Sequence, residues 1–210
     1  MAVDPRRVLV IGAGPGLGTA VARRFAREGF AVTLAARHPA VPAGELHGAD
    51  TVVADAAEPH AFRAVLTELA ESTAPGVVVY NAAVITTDNI LGAGTDHLLH
   101  AYAVDVLGAV IAAQVFTPAM RRARSGTFLA TGGNPDPSHA SLSLGKAALR
   151  AAVALMHDEL KADGVHAGSV TVGGTITPGT PFDPDRIAET YWELHTQPAD
   201  AWAAETYFEG

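Results

Sequence analysis

Four glycines at alternate positions, Gly12, Gly14, Gly16 and Gly18, follow the apolar run Val8-Leu9-Val10-Ile11. The chemistry they could support is anion binding. A glycine turn between a strand and a helix points bare backbone N–H groups and the helix N-terminus at one spot, which favours the pyrophosphate of a dinucleotide. Gly12, Gly14, Gly16, Leu17 and Gly18 are therefore candidate cofactor contacts, and a side chain at any of the four glycines is expected to block close approach. The plain alternative is a tight turn with no ligand. The spacing fits both the Gly-x-Gly opening of the general dinucleotide fingerprint and a longer turn, Gly12-x-x-x-Gly16-x-Gly18.

A second candidate closes the next apolar run, 30–36. An acidic residue there would bind the adenosine ribose 2′-hydroxyl and select NAD. This chain has Ala36 and then Arg37. A guanidinium pairs with a 2′-phosphate, so Arg37 points to NADP(H), with NAD(H) the lesser choice. Its alternative is a solvated arginine at a strand end. His38 either assists or is incidental.

These residues need elements to hold them. Residues 8–11 suit a parallel strand covered on both faces. Residues 19–28 put Val21, Ala22, Phe25 and Ala26 on one helical face, and Gly29 is a helix stop. Further strands are expected at 30–36, 51–54, 76–80, 126–130, 169–172 and 205–208. Helices are expected from Pro59 to Ala70, over 95–119, over 139–162 and over 183–194. Pro59 sits where a helix tolerates it. Residues 41–50 read as a loop or short helical passage, and 131–137 and 173–179 as glycine/proline loops. Strands alternating with helices predict a single α/β domain over 1–210, a Rossmann-type doubly wound parallel sheet with helices on both faces. Asp55, after the third strand, either caps the next helix or reaches the adenine ring.

Bulk properties narrow the class. A chain of 210 residues, 49% hydrophobic, can build one full core. A formal net charge of −8 argues against a nucleic-acid surface. The absence of cysteine excludes a disulfide framework and thiolate chemistry, and no metal site is expected. Gly, Asp or Thr interrupts the longest apolar runs, so no membrane span is expected. The chain enters its first strand directly from Met1, without a secretory leader, which points to the cytoplasm.

Taken in order, these motifs resemble the short-chain dehydrogenase/reductase family over nearly the whole chain. They are Gly12-x-x-x-Gly16-x-Gly18, Asp55, Asn81-Ala82-Ala83 after the fourth strand, Val104-Asp105-Val106-Leu107-Gly108 in the long helix, and Gly145-Lys146-Ala147-Ala148-Leu149 in the next. The resemblance implies a nicotinamide cofactor across the carboxyl ends of the strands, with Asn81, Ala82, Ala83 and Lys146 beside it. It also implies a substrate pocket closed by residues 177–198, where Gly179 to Pro184, Tyr191 and Trp192 suggest an apolar, aromatic lining.

The departures fall on the catalytic set. The family uses Asn, Ser and Tyr-x-x-x-Lys. Lys146 holds the lysine position, but four residues earlier stands Leu142. The serine position falls on Gly132-Gly133, the helix asparagine aligns with Asp105, and the usual Pro-Gly after strand six is Gly173-Gly174. Hydride transfer needs a proton partner for the alkoxide, and Leu142 cannot serve. Candidate substitutes are His139, Ser141, Ser143 and Thr131. His139 has the pKa for acid/base work, yet it reads equally as an exposed residue at the helix start, as do the two serines. Asp105, a carboxylate inside a helix, needs a partner, and Lys146 is the natural one under the family geometry. That pair is either structural or a proton relay. Tyr80 and Tyr102 carry hydroxyls but are not favoured as acids.

Three functions are consistent with this reading. The first is an NADP(H)-dependent oxidoreductase acting on a carbonyl or hydroxyl small molecule, with Lys146, Asp105, His139 and Ser143 as its candidate catalytic residues. The second is an NADP(H)-binding sensor or regulatory protein without turnover. The third is a non-redox isomerase, dehydratase or cyclase on the same fold. The expected partner is a small-molecule substrate, with no nucleic acid and no membrane. The family also implies a homodimer or homotetramer through the two Ala-rich helices around Ala101–Ala113 and Ala147–Ala154.

Overall fold

The computed structural model describes residues 3–42, 44 and 46–210. The direct start at Met1 and positions 43 and 45 of the expected 41–50 passage lie outside the described residues. In chain order the elements are β1 (Val3–Ile11), α1 (Leu17–Arg27), β2 (Ala31–Ala36), β3 (Asp50–Val53), α2 (Pro59–Ser72) and β4 (Ala74–Tyr80). The long helix follows as α3 (Thr95–Tyr102), a π turn (Ala103–Leu107) and α4 (Gly108–Ala123). Then come β5 (Gly126–Gly133), α5 (Ala140–Lys161), β6 (Val165–Val172), α6 (Pro184–Thr196) and β7 (Glu205–Phe208).

The seven strands form one sheet in the order β3-β2-β1-β4-β5-β6-β7, and every pair is parallel. The expected doubly wound α/β architecture is therefore observed. Period-two alternation divides the core. Val8, Val10, Val77 and Val79 face α1 and α6, whereas Leu9, Ile11, Val78 and Tyr80 face α2, α4 and α5. Apolar residues on both faces produce the continuous runs seen in the sequence.

Three boundaries differ from expectation. β5 continues through Thr131-Gly132-Gly133, where a loop was expected, and β6 begins at Val165. Pairing over eight positions, Gly126 with Val165 through Gly133 with Val172, overrides the loop-like composition. Gly132 is needed within it, since a Cβ there would stand 2.5 Å from Thr171 Oγ1. β1 begins at Val3, with a register shift against β4 between Asp4 and Val8.

The 29 residues of Thr95–Ala123 are, by length and composition, enough to cross a membrane, contrary to the reading of interrupted apolar runs. Much of that apolar surface packs on the sheet through Ala109, Ile111, Ala112, Ala113 and Phe116. α1 ends at Gly29, whose φ of +77° supplies the left-handed stop. Asp183 caps α6, its Oδ1 accepting from Asp185 N at 2.8 Å, with Pro184 in the first turn.

Candidate functional site

The carboxyl ends of β1, β2 and β4 open onto a cavity of about 590 Å³, walled by the glycine turn, Arg37, Asp55, Asn81 and His100 among others. The four glycines divide into two kinds. Gly12 has φ +84°, and a Cβ there would stand 2.3 Å from Ala82 N. A Cβ at Gly18 would stand 2.5 Å from the Gly12 oxygen. These two are required by internal packing. Gly14 and Gly16 have nothing within 4 Å of an added Cβ, so only they leave open space for a ligand. Thr19 closes the turn by donating from Oγ1 to the Gly14 oxygen at 2.7 Å. The first-turn N–H groups of α1, from Leu17 and Gly18, have no intrahelical acceptor and face this end of the sheet.

Arg37 and His38 are exposed on the cavity wall just past β2. Asp55 also lines the cavity, and its Oδ1 accepts from Ala57 N at 3.0 Å. It shapes the turn before α2 without being the cap, a position held by Glu58. Ala82 and Ala83 line the same wall. A second cavity, about 520 Å³, lies at the amino end of β2 between α1 and residues 46–49, away from every candidate site residue.

Asn81 is turned inward. Its Nδ2 donates to the Gly12 oxygen at 3.0 Å, and its Oδ1 accepts from Thr131 Oγ1 at 2.8 Å. Thr131 Oγ1 also meets Tyr191 Oη at 2.7 Å. Lys146, 7% exposed, donates from Nζ to the Thr131 carbonyl oxygen at 2.6 Å. Burial pulls the Lys146 pKa down to about 8, opposed by the charge of Asp105.

Asp105 is fully buried in the π turn of the long helix. Tyr80 meets that turn at two points: its Oη donates to the Val104 oxygen at 2.5 Å, and a Cβ on Gly108 would stand 2.1 Å from that hydroxyl. The wide turn aims Asp105 at residue 84, where Oδ1 accepts from Val84 N at 2.7 Å. Asp105 Oδ2 is buried without a hydrogen-bond partner. Burial pushes the Asp105 pKa up to about 6, against the Val84 N–H and the charges of Lys146 and His100. The expected Asp105–Lys146 pairing is thus corrected. Among the described residues no direct ion pair joins them: the Lys146 ammonium donates to the Thr131 carbonyl, and Asp105 Oδ1 accepts from Val84 N.

His139 and Ser143 are engaged by the loop before α5. His139 Nδ1 lies 3.1 Å from Asp136 Oδ2 and 3.0 Å from Ser138 Oγ. Ser143 Oγ accepts from Asp136 N at 2.8 Å and donates to the Asp136 oxygen at 3.0 Å. Both brace the loop that leads into α5. Ser141, buried, lies 3.2 Å from His97 Nε2 through Oγ, and its N–H donates to Asp88 at 3.1 Å. Tyr80, at the end of β4, is wholly buried between the sheet and α4.

The aromatic lining expected for the substrate pocket is also corrected. Tyr191 and Trp192 belong to the core between α1, α6 and the sheet, Trp192 packing edge-on against Phe25 and Phe30. Two aromatics stand at the end of β6: Phe208, paired with Val172, and Phe182, whose ring lies against Gly174. Sequence reasoning missed the linking roles of Thr131 and Tyr191 and the presence of His100 on the cavity wall. The available signal for Thr131 was a hydroxyl at the end of an apolar strand; for the other two, only their places in the fold reveal the role.

A family model described as short chain dehydrogenase matches residues 6–186. No curated protein sequence matches. Among solved structures, a short-chain dehydrogenase from Rhodopseudomonas palustris is 24% identical over 99% of each chain, with a TM-score of 0.84. A metagenomic short-chain oxidoreductase in complex with NADP is 23% identical over 99% of this chain and 98% of its own, TM-score 0.85. An oxidoreductase from Brucella ovis, in complex with a partially ordered NAD, is 18% identical over 98% of this chain and 100% of its own, TM-score 0.85.

Proposed function

Because the chain belongs to the short-chain dehydrogenase family, we propose that it binds NADP(H) and interconverts a carbonyl and a hydroxyl on a small molecule, with Lys146 as its proton donor. The observation that carries the cofactor half is Arg37, a guanidinium where an acid would select NAD, on the wall of the cavity that the glycine turn also lines. The residues fit such a nucleotide. Gly14 and Gly16 leave open space, the α1 N-terminus offers N–H groups, and Asn81, Ala82 and Ala83 line the same cavity.

When bound, the nicotinamide nucleotide supplies or accepts hydride. This chain's task is then to deliver a proton to the nascent alkoxide. Leu142 and Gly133 carry no exchangeable proton, and His139 and Ser143 are committed to the Asp136 loop. Lys146 remains. Its pKa of about 8 keeps it largely protonated at neutral pH yet ready to give the proton up. An ammonium has three donors, and only one is engaged at Thr131. Gly133 lies beside the Lys146 stem, whose Cγ is 3.7 Å from where a Cβ would be. Asp105 steadies the ammonium through space.

Loss of the hydroxyls at 133 and 142 also favours a second reading, an NADP(H) sensor without turnover. Titration with NADPH and NADH, followed by nicotinamide fluorescence and then a carbonyl-substrate screen, tests both. Tight NADPH binding weakened by Arg37→Ala supports the cofactor assignment. NADPH consumption supports the enzyme, and binding without consumption supports the sensor. Binding of neither nucleotide removes both.

A homo-oligomer is part of the same proposal. Leu99 and Tyr102 on α3, and Leu144 and Leu155 on α5, are more than half exposed, and Ala147, Ala151 and Ala154 lie between the latter two. A second copy would cover them. Light scattering on the purified chain checks this, and a monomer at micromolar concentration defeats it.

A further inference from the structure

Four residues, Gly12 and Asn81 just past β1 and β4, Thr131 in β5 and Tyr191 in α6, form one hydrogen-bonded line at the carboxyl end of the sheet. Its direction is fixed by chemistry. The Gly12 carbonyl only accepts, so the Asn81 atom facing it is Nδ2, and Oδ1 faces Thr131. An amide oxygen also only accepts, so the Thr131 hydroxyl donates to it. The remaining contact, at 2.7 Å, must then run from Tyr191 Oη to Thr131 Oγ1. Tyr191 is wholly buried and Thr131 is 6% exposed, so water does not substitute easily for either partner.

The line ends on the cofactor turn. The Gly12 oxygen accepts from Asn81 and also from Gly14 N at 2.9 Å. Gly12 and Ala13 N–H both donate to the Ala35 oxygen, at 2.8 and 3.3 Å. Asn81 is thus the long-range side-chain restraint on the turn, whose other side-chain bond, from Thr19 Oγ1 to the Gly14 oxygen, is local. We propose that Tyr191, on α6 and outside the cofactor cavity, is a positioning residue for that turn: through Thr131 and Asn81 it holds the Gly12 carbonyl and so sets nucleotide affinity. α6 follows the 173–183 loop, so the same line ties the segment after β6 to the shape of the glycine turn. The proposal rests on the nucleotide reading above.

The experiment is NADPH titration of the full chain in wild type, Tyr191→Phe, Thr131→Val, Thr131→Ser and the Tyr191→Phe/Thr131→Val pair, with a thermal melt of each. Tyr191→Phe keeps the ring and removes only the donor, and should weaken NADPH binding about threefold. Thr131→Val orphans both Asn81 Oδ1 and the Tyr191 hydroxyl and should weaken it about tenfold. The double variant should bind no more weakly than Thr131→Val alone, since the chain is already cut. Thr131→Ser keeps the hydroxyl and should bind within about twofold of wild type. A purely structural role predicts lower melting temperatures with unchanged NADPH affinity, and that result overturns the inference. So does an additive double variant. Failure of the wild-type chain to bind either nucleotide removes the underlying reading and this inference with it. Wild-type binding that Thr131→Val leaves untouched removes this inference alone.

Discussion

The Lys146 ammonium donates to the Thr131 carbonyl oxygen at 2.6 Å, and the hydroxyl of the same threonine donates to Asn81. One residue at the end of β5 therefore holds both the candidate acid and the inward-turned asparagine. If Lys146 is the acid, reduction requires its protonated form. The kcat/KM for NADPH-dependent reduction should be level below about pH 8 and fall above it, following the Lys146 pKa of about 8. Lys146→Met keeps the bulk and loses the proton, and should slow reduction by ~100-fold or more. Burial lowers this pKa below the unfolded value, so the charged lysine costs stability below pH 8, and the cost disappears as pH rises toward 10.5. Lys146→Met should accordingly melt no lower than wild type at pH 7. A rate that stays level through pH 9, or a Lys146→Met variant with full activity, would sink the assignment.

Asp105 predicts an opposite kind of pH dependence. Its carboxyl is raised from 3.8 to about 6 in the fold, so the native state holds its proton more tightly than the unfolded chain. Stability contributed here is present below about pH 4 and is lost as pH rises through 6. Asp105→Asn should therefore stabilise the chain at pH 7.5 by about 1–2 kcal/mol and give little gain at pH 4. Urea denaturation at the two pH values checks it. A loss of stability at pH 7.5 would mean that the charge is better compensated than its partnerless Oδ2 indicates.

Histidines at the other end of the sheet set an acid limit. Burial pulls His195 down to about 4 and also lowers His166. His195 Nδ1 lies 2.9 Å from Thr127 Oγ1, and its ring packs among Phe25, Phe30 and Trp192. Both are held neutral in the fold while the unfolded chain takes up protons below about 6.5. The His195 contribution is complete above that pH and is lost as pH falls toward 4, and His166 acts in the same direction. The melting temperature of wild type should decline over this window. His195→Phe should shallow the decline, and an unchanged slope in that variant would assign the acid lability elsewhere.

The sheet and the glycine turn were legible because they follow from local signals: apolar runs of strand length, glycines between them, and alternation of strand and helix. The roles of Gly12 and Gly18 were readable only in part, since their need for glycine comes from Asn81, Ala82 and the turn itself. The engagement of His139 and Ser143 was hidden for a similar reason. Their sequence neighbours suggested the site, whereas Asp136, in the preceding loop, claims both. Long-range polar contacts such as Tyr191 with Thr131 leave no periodic trace, because each partner satisfies a requirement set by the other's place in the fold.

Gly108 and Tyr80 offer a test of how the π turn is made. The Tyr80 hydroxyl occupies the space where a Gly108 side chain would sit, 2.1 Å from its Cβ, and donates to the Val104 oxygen. Gly108→Ala should destabilise the chain by ~2–4 kcal/mol, although alanine is the better helix former, because the hydroxyl is enclosed and cannot retreat. Tyr80→Phe alone removes the donor and should cost ~1–2 kcal/mol. Combined, the two changes should cost less than their sum, since phenylalanine removes the atom that alanine meets. The residual clash, with the ring carbon that bears the hydroxyl and with Ala56 Cβ, both at 3.0 Å, keeps the recovery partial. With the hydroxyl gone the helix is free to close to α geometry at Val104, which would turn Asp105 away from Val84. The double variant should then show the Asp105 carboxyl titrating at a different pH from wild type by carbonyl NMR. Additive costs together with an unshifted Asp105 would mean that the π turn is set by the helix's own packing and not by Tyr80.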